Sequence, residues 1–428
     1  MTEPSTHSLP DNWAARFFTI WTGQAFSLFG SALVQFALIW WLTQKTGSAS
    51  VLATATLVGM LPQILLGPFA GTFVDRTSRR LVMIVADSLI ALATVALILL
   101  FWSGRVEVWH VYIILMLRSA GGAFHYPAMS ASTSLMVPKE HLARVAGANQ
   151  TLGGVMSIIA PPAGALLIGL LPMQQVLMVD VLTAAMAVLP LLFISIPQPP
   201  RLENAVQGQP TPSFLEDFRE GLRYVLAWPG LLAILIMATL INFLLTPAGA
   251  LSPILVTKYF GLGAMQLGWL DSVFGVGIIA GGLVLSAWGG FRRRIVTTLL
   301  GIVGLGVGVL VVGLAPVNLY VMALGGMALL GFMNPIANGP LSAILQSTVR
   351  PDMQGRVMSL INSVATAMSP LSLLIAGPVS DWLGIRVWYW IGGSLCLLMG
   401  LAAFFIPVVM NVENNRSESG PAIQPAIK

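Results

Sequence analysis

Charge is what this sequence has least of. Only 9% of its 428 residues are Asp, Glu, Lys or Arg, while 56% are hydrophobic. A soluble globular chain carries about 25% charged residues. So little charge cannot clothe a water-facing surface, which points to a lipid solvent. Cysteine occurs once, at Cys396 within an apolar run. That excludes a disulfide framework and a cysteine-based metal site. No GxxxxGK[ST] run is present, so no P-loop for ATP. HExxH and a Ser-His-Asp context are also missing. No catalytic residue, metal site or cofactor is expected. The N-terminal stretch lacks the basic flank and cleavage site of a signal peptide. The first apolar run is therefore expected to stay as a span.

A membrane-spanning helix needs about 20 apolar residues. Twelve runs qualify, with approximate cores at 17–42, 50–74, 81–102, 108–136, 146–170 and 175–197, then 230–256, 264–288, 295–314, 318–345, 358–382 and 387–410. They are apolar all round, unlike surface helices, and longer than barrel strands. Residues 198–212 are polar and proline-rich and read as a linker. SFLEDFREGLRYVLAW follows. Ser213 and Glu216 fit a capping box. Phe214, Phe218, Leu222 and Val225 share one helical face, predicting a short amphipathic helix. The expected architecture is an all-α membrane protein of twelve transmembrane helices in two pseudo-symmetric six-helix bundles. Residues 1–197 form the first bundle, 198–228 the cytoplasmic linker, 229–411 the second bundle and 412–428 a cytoplasmic tail.

Basic residues set the orientation. With both termini inside, the inner segments hold Arg16, Arg76, Arg79, Arg80, Lys139, Arg144, Arg201, Arg219, Arg223, Arg292, Arg293, Arg294, Arg350, Arg356, Arg416 and Lys428. The outer loops hold only Lys45, Arg105, Lys258 and Arg386. The net charge of +5 is thus a topology signal, and no nucleic-acid partner is expected.

The halves resemble each other. VPKEHLARVAGANQ follows span four and VRPDMQGRVMSLIN follows span ten. Each has a proline, a polar stretch, then Arg-Val opening a helix (Arg144 and Arg356). After span two stands Gly71-Thr-Phe-Val-Asp75-Arg76-Thr-Ser-Arg79-Arg80. Gly71 permits close helix approach, and Asp75 can pair with an arginine or cap a helix. An ordinary positive-inside loop with one acid is the other reading.

That loop resembles the signature loop of the major facilitator superfamily, with Ser78 where a second glycine is usual. The resemblance implies that Asp75, Arg76, Arg79 and Arg80 latch the outward-open state. Span four has Leu115 and Arg118-Ser-Ala-Gly121-Gly122, similar to the family's buried-arginine motif associated with proton coupling. Span five has Pro161, Pro162 and Gly164 in a run similar to the antiporter motif, with Ala160 and Ala165 in place of glycines. Gly377-Pro-Val-Ser-Asp381-Trp-Leu-Gly384 imitates the signature loop but falls at the outer end of span eleven. The longer runs FFTIWTGQAFSLFGSALVQFALIWWLTQKTGSASVL, LGPFAGTFVDRTSRR and RSAGGAFHYPAM resemble the macrolide-efflux branch of proton-linked drug exporters, with siderophore exporters as near relatives. The resemblance spans nearly the whole chain.

An ionisable group at a span centre costs about 2.5–3.5 kcal/mol on insertion scales and needs a reason. Arg118 either works in coupling or pairs structurally with carbonyls or a fixed acid. Guanidinium stays protonated, so Arg118 is expected to tune a carboxylate: Asp87 first, then Asp180, then Asp271. Each acid can instead be solvated near a surface. His125, about two turns beyond Arg118, is either a coupling group or a packing residue. Gln24, Gln35, Asn242, Asn334 and Asn338 either line the cavity or bond neighbouring helices.

The expectation is a monomeric secondary transporter in a bacterial-type inner membrane. It exports small amphipathic, macrolide-like molecules against protons, by alternating access. Export of a siderophore or metabolite is the alternative. A non-transporting receptor is a third reading, but no soluble output domain is visible. Small-molecule substrate, protons and the lipid bilayer are the expected partners.

Overall fold

Hydrocarbon offers no partner for a backbone N–H or C=O, so so apolar a chain must satisfy them within helices. The computed structural model of the protein describes residues 12–197 and 214–413 and does this almost throughout. The first six helices are α1 (Trp13–Thr46), α2 (Ala49–Arg76), α3 (Arg79–Trp102), α4 (Val108–Met136), α5 (Lys139–Leu170) and α6 (Met173–Phe193). Next come α7 (Phe214–Ala227), α8 (Pro229–Ala250), a turn of helix α9 (Ser252–Ile254) and a π-turn over Leu255–Tyr259. The chain closes with α10 (Ala264–Trp288), α11 (Arg294–Leu314), α12 (Tyr320–Thr348), α13 (Gln354–Leu383), α14 (Arg386–Ala403) and the short α15 (Pro407–Met410).

Among the described residues, eleven helices are long and apolar enough to cross a membrane. The twelfth expected span, α4, is 29 residues long but falls outside that set. Arg118, two histidines and a Ser/Thr-rich C-terminal half dilute its apolar content. Many large apolar side chains face outward, among them Leu89, Leu92 and Leu99 on α3 and Leu283 on α10. A water-soluble surface avoids patches of this kind; a bilayer accommodates them.

The chain divides into two compact units. Unit 1 holds α1, α2 from Thr54 onward, α3–α6 and Gly263–Gly268; unit 2 holds Ser48–Ala53 and the remaining helices from α7 on. Both post-proline loops seat their valines in the core of their own unit: Val137 and Val145 in unit 1, Val349 and Val357 in unit 2. In the unit 2 loop, the Arg350 side chain hydrogen-bonds Asp352 and holds that carboxyl below its ordinary range.

Helix α7 forms as its periodicity predicts. Val225 is buried in the core of unit 2, with Phe218 and Leu222 packed against it. Glu220 pairs with Arg356 at 3.0 Å, fixing α7 to the start of α13. Ser213 of the expected capping box, and the linker before it, lie outside the described residues.

Glycines set the closest helix approaches. In unit 1, a Cβ on Gly23 of α1 would stand 2.5 Å from Met186 O of α6. In unit 2, α11 is the most buried of the candidate spans. A Cβ on its Gly306 would meet Leu397 N of α14 at 2.5 Å, and one on Gly301 would meet Ala337 N of α12 at 2.4 Å. Backbone atoms cannot swing aside, so added volume forces helices apart, typically at a cost of about 1–3 kcal/mol. Gly306→Leu is therefore expected to lower the thermal midpoint of detergent-purified protein clearly. Gly282→Ala, with open space at its Cβ position, should leave it unchanged. Equal midpoints for both variants would contradict this packing.

Candidate functional site

One group of charged and polar residues within the spans of unit 1 lies in two layers. Each of three helices contributes a pair seven residues apart: Gln24 and Ser31 on α1, Asp87 and Thr94 on α3, Arg118 and His125 on α4. Seven residues are about two helical turns, so each pair lies on one helix face.

The first layer is an ion pair. Arg118 Nη1 meets Asp180 Oδ2, and Nη2 reaches Oδ1 at 3.3 Å. Ser31 Oγ donates to Oδ1 at 3.0 Å and Thr94 Oγ1 donates to Oδ2 at 2.9 Å. Arg118 Nη2 also donates to Ser31 O at 3.2 Å. Four donor contacts thus reach the carboxylate of a residue that is 1% exposed, the Thr94 hydroxyl also lying 3.0 Å from Ile90 O. Each partner is met by the other and by further hydrogen bonds, which is the condition for a buried pair to persist.

The second layer is a triangle. Gln24 Nε2 donates to Asp87 Oδ2 at 3.1 Å. Its amide oxygen therefore faces His125 Nε2, at 2.9 Å. An oxygen there must accept, so Nε2 carries the hydrogen. The same nitrogen lies 3.4 Å from Asp87 Oδ1. All three residues are buried. Arg118 pairs with Asp180 rather than with Asp87, the first-ranked acid, and Asp87 is joined to His125 instead.

The other sequence candidates are placed as follows. Asp75 is largely exposed and pairs with Arg79 at 3.3 Å. Arg79 is buried, and its Nε and Nη1 have no hydrogen-bond partner. Arg80 donates to the carbonyls of Leu191 and Leu192, closing the C-terminal end of α6; a cation there also meets the negative end of the helix dipole. Arg76 is exposed. Ser78, the departure from the family pattern, caps α3 by accepting from Leu81 N. Gly71 does not mark a close helix approach, because a Cβ there would meet nothing within 4 Å. Gly164 packs against Phe36 of α1, beside the partly buried Pro161 and Pro162. Gln35 is exposed. In unit 2, Asp271 is half-buried on α10, with Tyr320 and Tyr389 near enough to interact with its charge. Asn242, Asn334 and Asn338 line one cavity of about 260 Å³ between α8, α11 and α12.

Sequence reasoning missed Ser31, Thr94 and the role of Asp381. Asp381 accepts from Ser48 Oγ at 2.8 Å and from the N–H groups of Ala49 and Ser50 at 2.7 and 2.9 Å. It thereby caps the N-terminus of α2 inside unit 2. The seven-residue spacing was the available signal for Ser31 and Thr94. Nothing local in the sequence announces the Asp381 contact.

An all-helical membrane chain of paired units with buried ionic layers is the architecture of a secondary transporter. The model of the Major Facilitator Superfamily matches residues 20–249 and 245–427, and the chain belongs to that family. It is 34% identical to Macrolide efflux protein A of Streptococcus pyogenes, over 94% of this chain and 98% of the relative. It is 29% identical to Multidrug efflux pump Tap of Mycolicibacterium fortuitum, over 88% and 92% respectively. Among solved structures, the peptide transporter POT superposes with a TM-score of 0.71 at 10% identity, covering 93% of this chain and 94% of that one. A bacterial homologue of the iron transporter ferroportin gives 0.67 at 14%, covering 94% and 99%. These two share the fold.

Removing one member of a buried pair leaves the other charge stranded, typically at about 3–5 kcal/mol. Asp180→Ala is expected to abolish or sharply reduce monodisperse protein on size exclusion. The apolar double variant Arg118→Met with Asp180→Leu should recover most of it. Normal yield and thermal midpoint for Asp180→Ala alone would contradict a structural ion pair.

Proposed function

We propose that this protein exports small amphipathic molecules of macrolide type, exchanging them for protons across a bacterial inner membrane. The observation that carries the coupling half of this reading is the buried triangle of Gln24, Asp87 and His125. The substrate half is supported by the likeness to Macrolide efflux protein A. Likeness to a multidrug pump also leaves room for a metabolite or siderophore as cargo.

The two layers of unit 1 do different work. Asp180 faces a permanent cation and accepts from the hydroxyls of Ser31 and Thr94. It serves as the fixed counter-charge of Arg118. Asp87 with a neutral His125 amounts to one uncompensated negative charge in an apolar surrounding. A proton bound by the pair cancels that charge. Hydration of the site favours release, because water then solvates the anion that remains. Alternating exposure of such a site to the two sides moves a proton one way and substrate the other. Asp271 is the reserve candidate in unit 2.

Both termini and the arginine-rich loops face the cytoplasm in this reading. Asp75, Arg76, Arg79 and Arg80 bias one of the alternating states, and the incompletely partnered Arg79 suits a group that changes acceptors. A single chain suffices, since it carries both units.

The test is reconstitution in liposomes with an imposed pH gradient. Wild type should accumulate a radiolabelled macrolide uphill. Asp87→Asn should abolish accumulation while downhill exchange continues. Full uphill transport by Asp87→Asn would remove the triangle from coupling and turn attention to Asp271.

A further inference from the structure

The first, third and fourth spans of unit 1, α1, α3 and α4, enclose the ionic layers. The same three spans of the second repeat, α8, α11 and α12, enclose a cavity instead. Its walls are apolar, with Ile241, Ile302 and Leu341 among them, and no lining residue carries a charge. The polar groups are amides and hydroxyls: Asn242, Thr246, Thr298, Asn334 and Asn338.

Several of these groups are already engaged. Asn242 Nδ2 donates to Ala238 O at 3.0 Å. Thr246 Oγ1 and Ser369 Oγ lie 3.0 Å apart. Asn338 Nδ2 donates to Asn334 O at 3.0 Å. Thr298 is different. Its residue is 2% exposed, it lines the cavity, and its hydroxyl has no hydrogen-bond partner. A buried hydroxyl left unmatched is a standing cost unless something enters to meet it.

We propose that this cavity is a subsite of unit 2 that takes an uncharged, hydroxyl- or carbonyl-bearing group of the exported molecule, with Thr298 Oγ1 as a hydrogen-bonding partner. The proposal rests on the exporter reading above. A cation is excluded as the occupant, because no acid lines the cavity to compensate it. At about 260 Å³ the space lies just under the range of drug-sized sites, roughly 300–1,000 Å³. It therefore receives one part of a large substrate, such as a hydroxylated ring, and leaves the rest outside. The coupling triangle lies in unit 1 and this neutral subsite in unit 2, so specificity and coupling can change independently.

The experiment uses full-length protein in nanodiscs and proteoliposomes, with tritiated erythromycin as the probe. Erythronolide B, its uncharged hydroxylated lactone, is the competitor. Wild-type uphill uptake is measured first, and its absence would sink the exporter reading itself. With uptake established, Thr298→Val keeps the shape and removes the hydroxyl. Binding of both compounds is expected to weaken roughly 2- to 10-fold, the size of one neutral hydrogen bond. Transport KM should rise in step, while kcat and its pH profile stay at wild-type values. Thr298→Ser should restore binding. Should Thr298→Val fail to fold, Thr298→Cys in a Cys396→Ser background replaces it. Saturating erythromycin is then expected to slow maleimide labelling. Unchanged dissociation constants in Thr298→Val, no competition by erythronolide B in wild type, or labelling equal with and without erythromycin would each overturn the proposal.

Discussion

Every charge placed inside this molecule must be compensated within hydrocarbon, where water cannot do it. The Arg118–Asp180 pair meets that demand most completely. Two threonine- and serine-type hydroxyls and a backbone carbonyl complete its shell. The pair also ties three elements of unit 1 to α6, since its ligands come from α1, α3 and α4. The close α1–α6 contact at Gly23 brings Ser31 within reach of Asp180. With that cation neutralised, the triangle two turns away joins the second buried acid, Asp87, to Gln24 and His125 and not to an arginine.

The neighbouring layers are chemically unlike for a physical reason. Asp180 lies opposite a guanidinium, whose paired N–H donors match the two oxygens of a carboxylate. Asp87 lies opposite an imidazole and an amide, with no guanidinium beside it. Unit 2 has neither arrangement in its cavity. Where α3 carries Asp87, α11 carries a run of glycines packed tightly against α12 and α14. Two copies of one helical plan have thus come to hold buried charged residues in one and a cavity without charged lining in the other.

Much of the fold was legible because hydrocarbon imposes it. Long apolar runs, a polar proline-rich break and the repeated Arg-Val loops mark spans, units and the amphipathic helix α7. The helix expected for span four is present as α4, though its diluted hydropathy keeps it outside the eleven described helices apolar enough to cross a membrane. The candidate site was legible as a set of residue types, not as a set of partners. Asp87 and Asp180 look alike in the sequence, and only the antiparallel run of α4 places Arg118 level with Asp180 and His125 level with Asp87. Ser78 stands where the signature loop usually has a second glycine, and it supplies the cap of α3. Asp381 read as an imitation of that loop, yet it caps α2 across more than three hundred residues of sequence. Contacts so distant in the chain leave no periodic trace.

The central claim is that one proton resides on the Asp87–His125 pair and leaves when substrate binds. Detergent-purified protein in weakly buffered solution permits a direct test, by following pH as a macrolide is added to saturation. The account predicts release of about one proton per bound molecule in wild type and none in Asp87→Asn that still binds substrate. Equal release by the two proteins would contradict it.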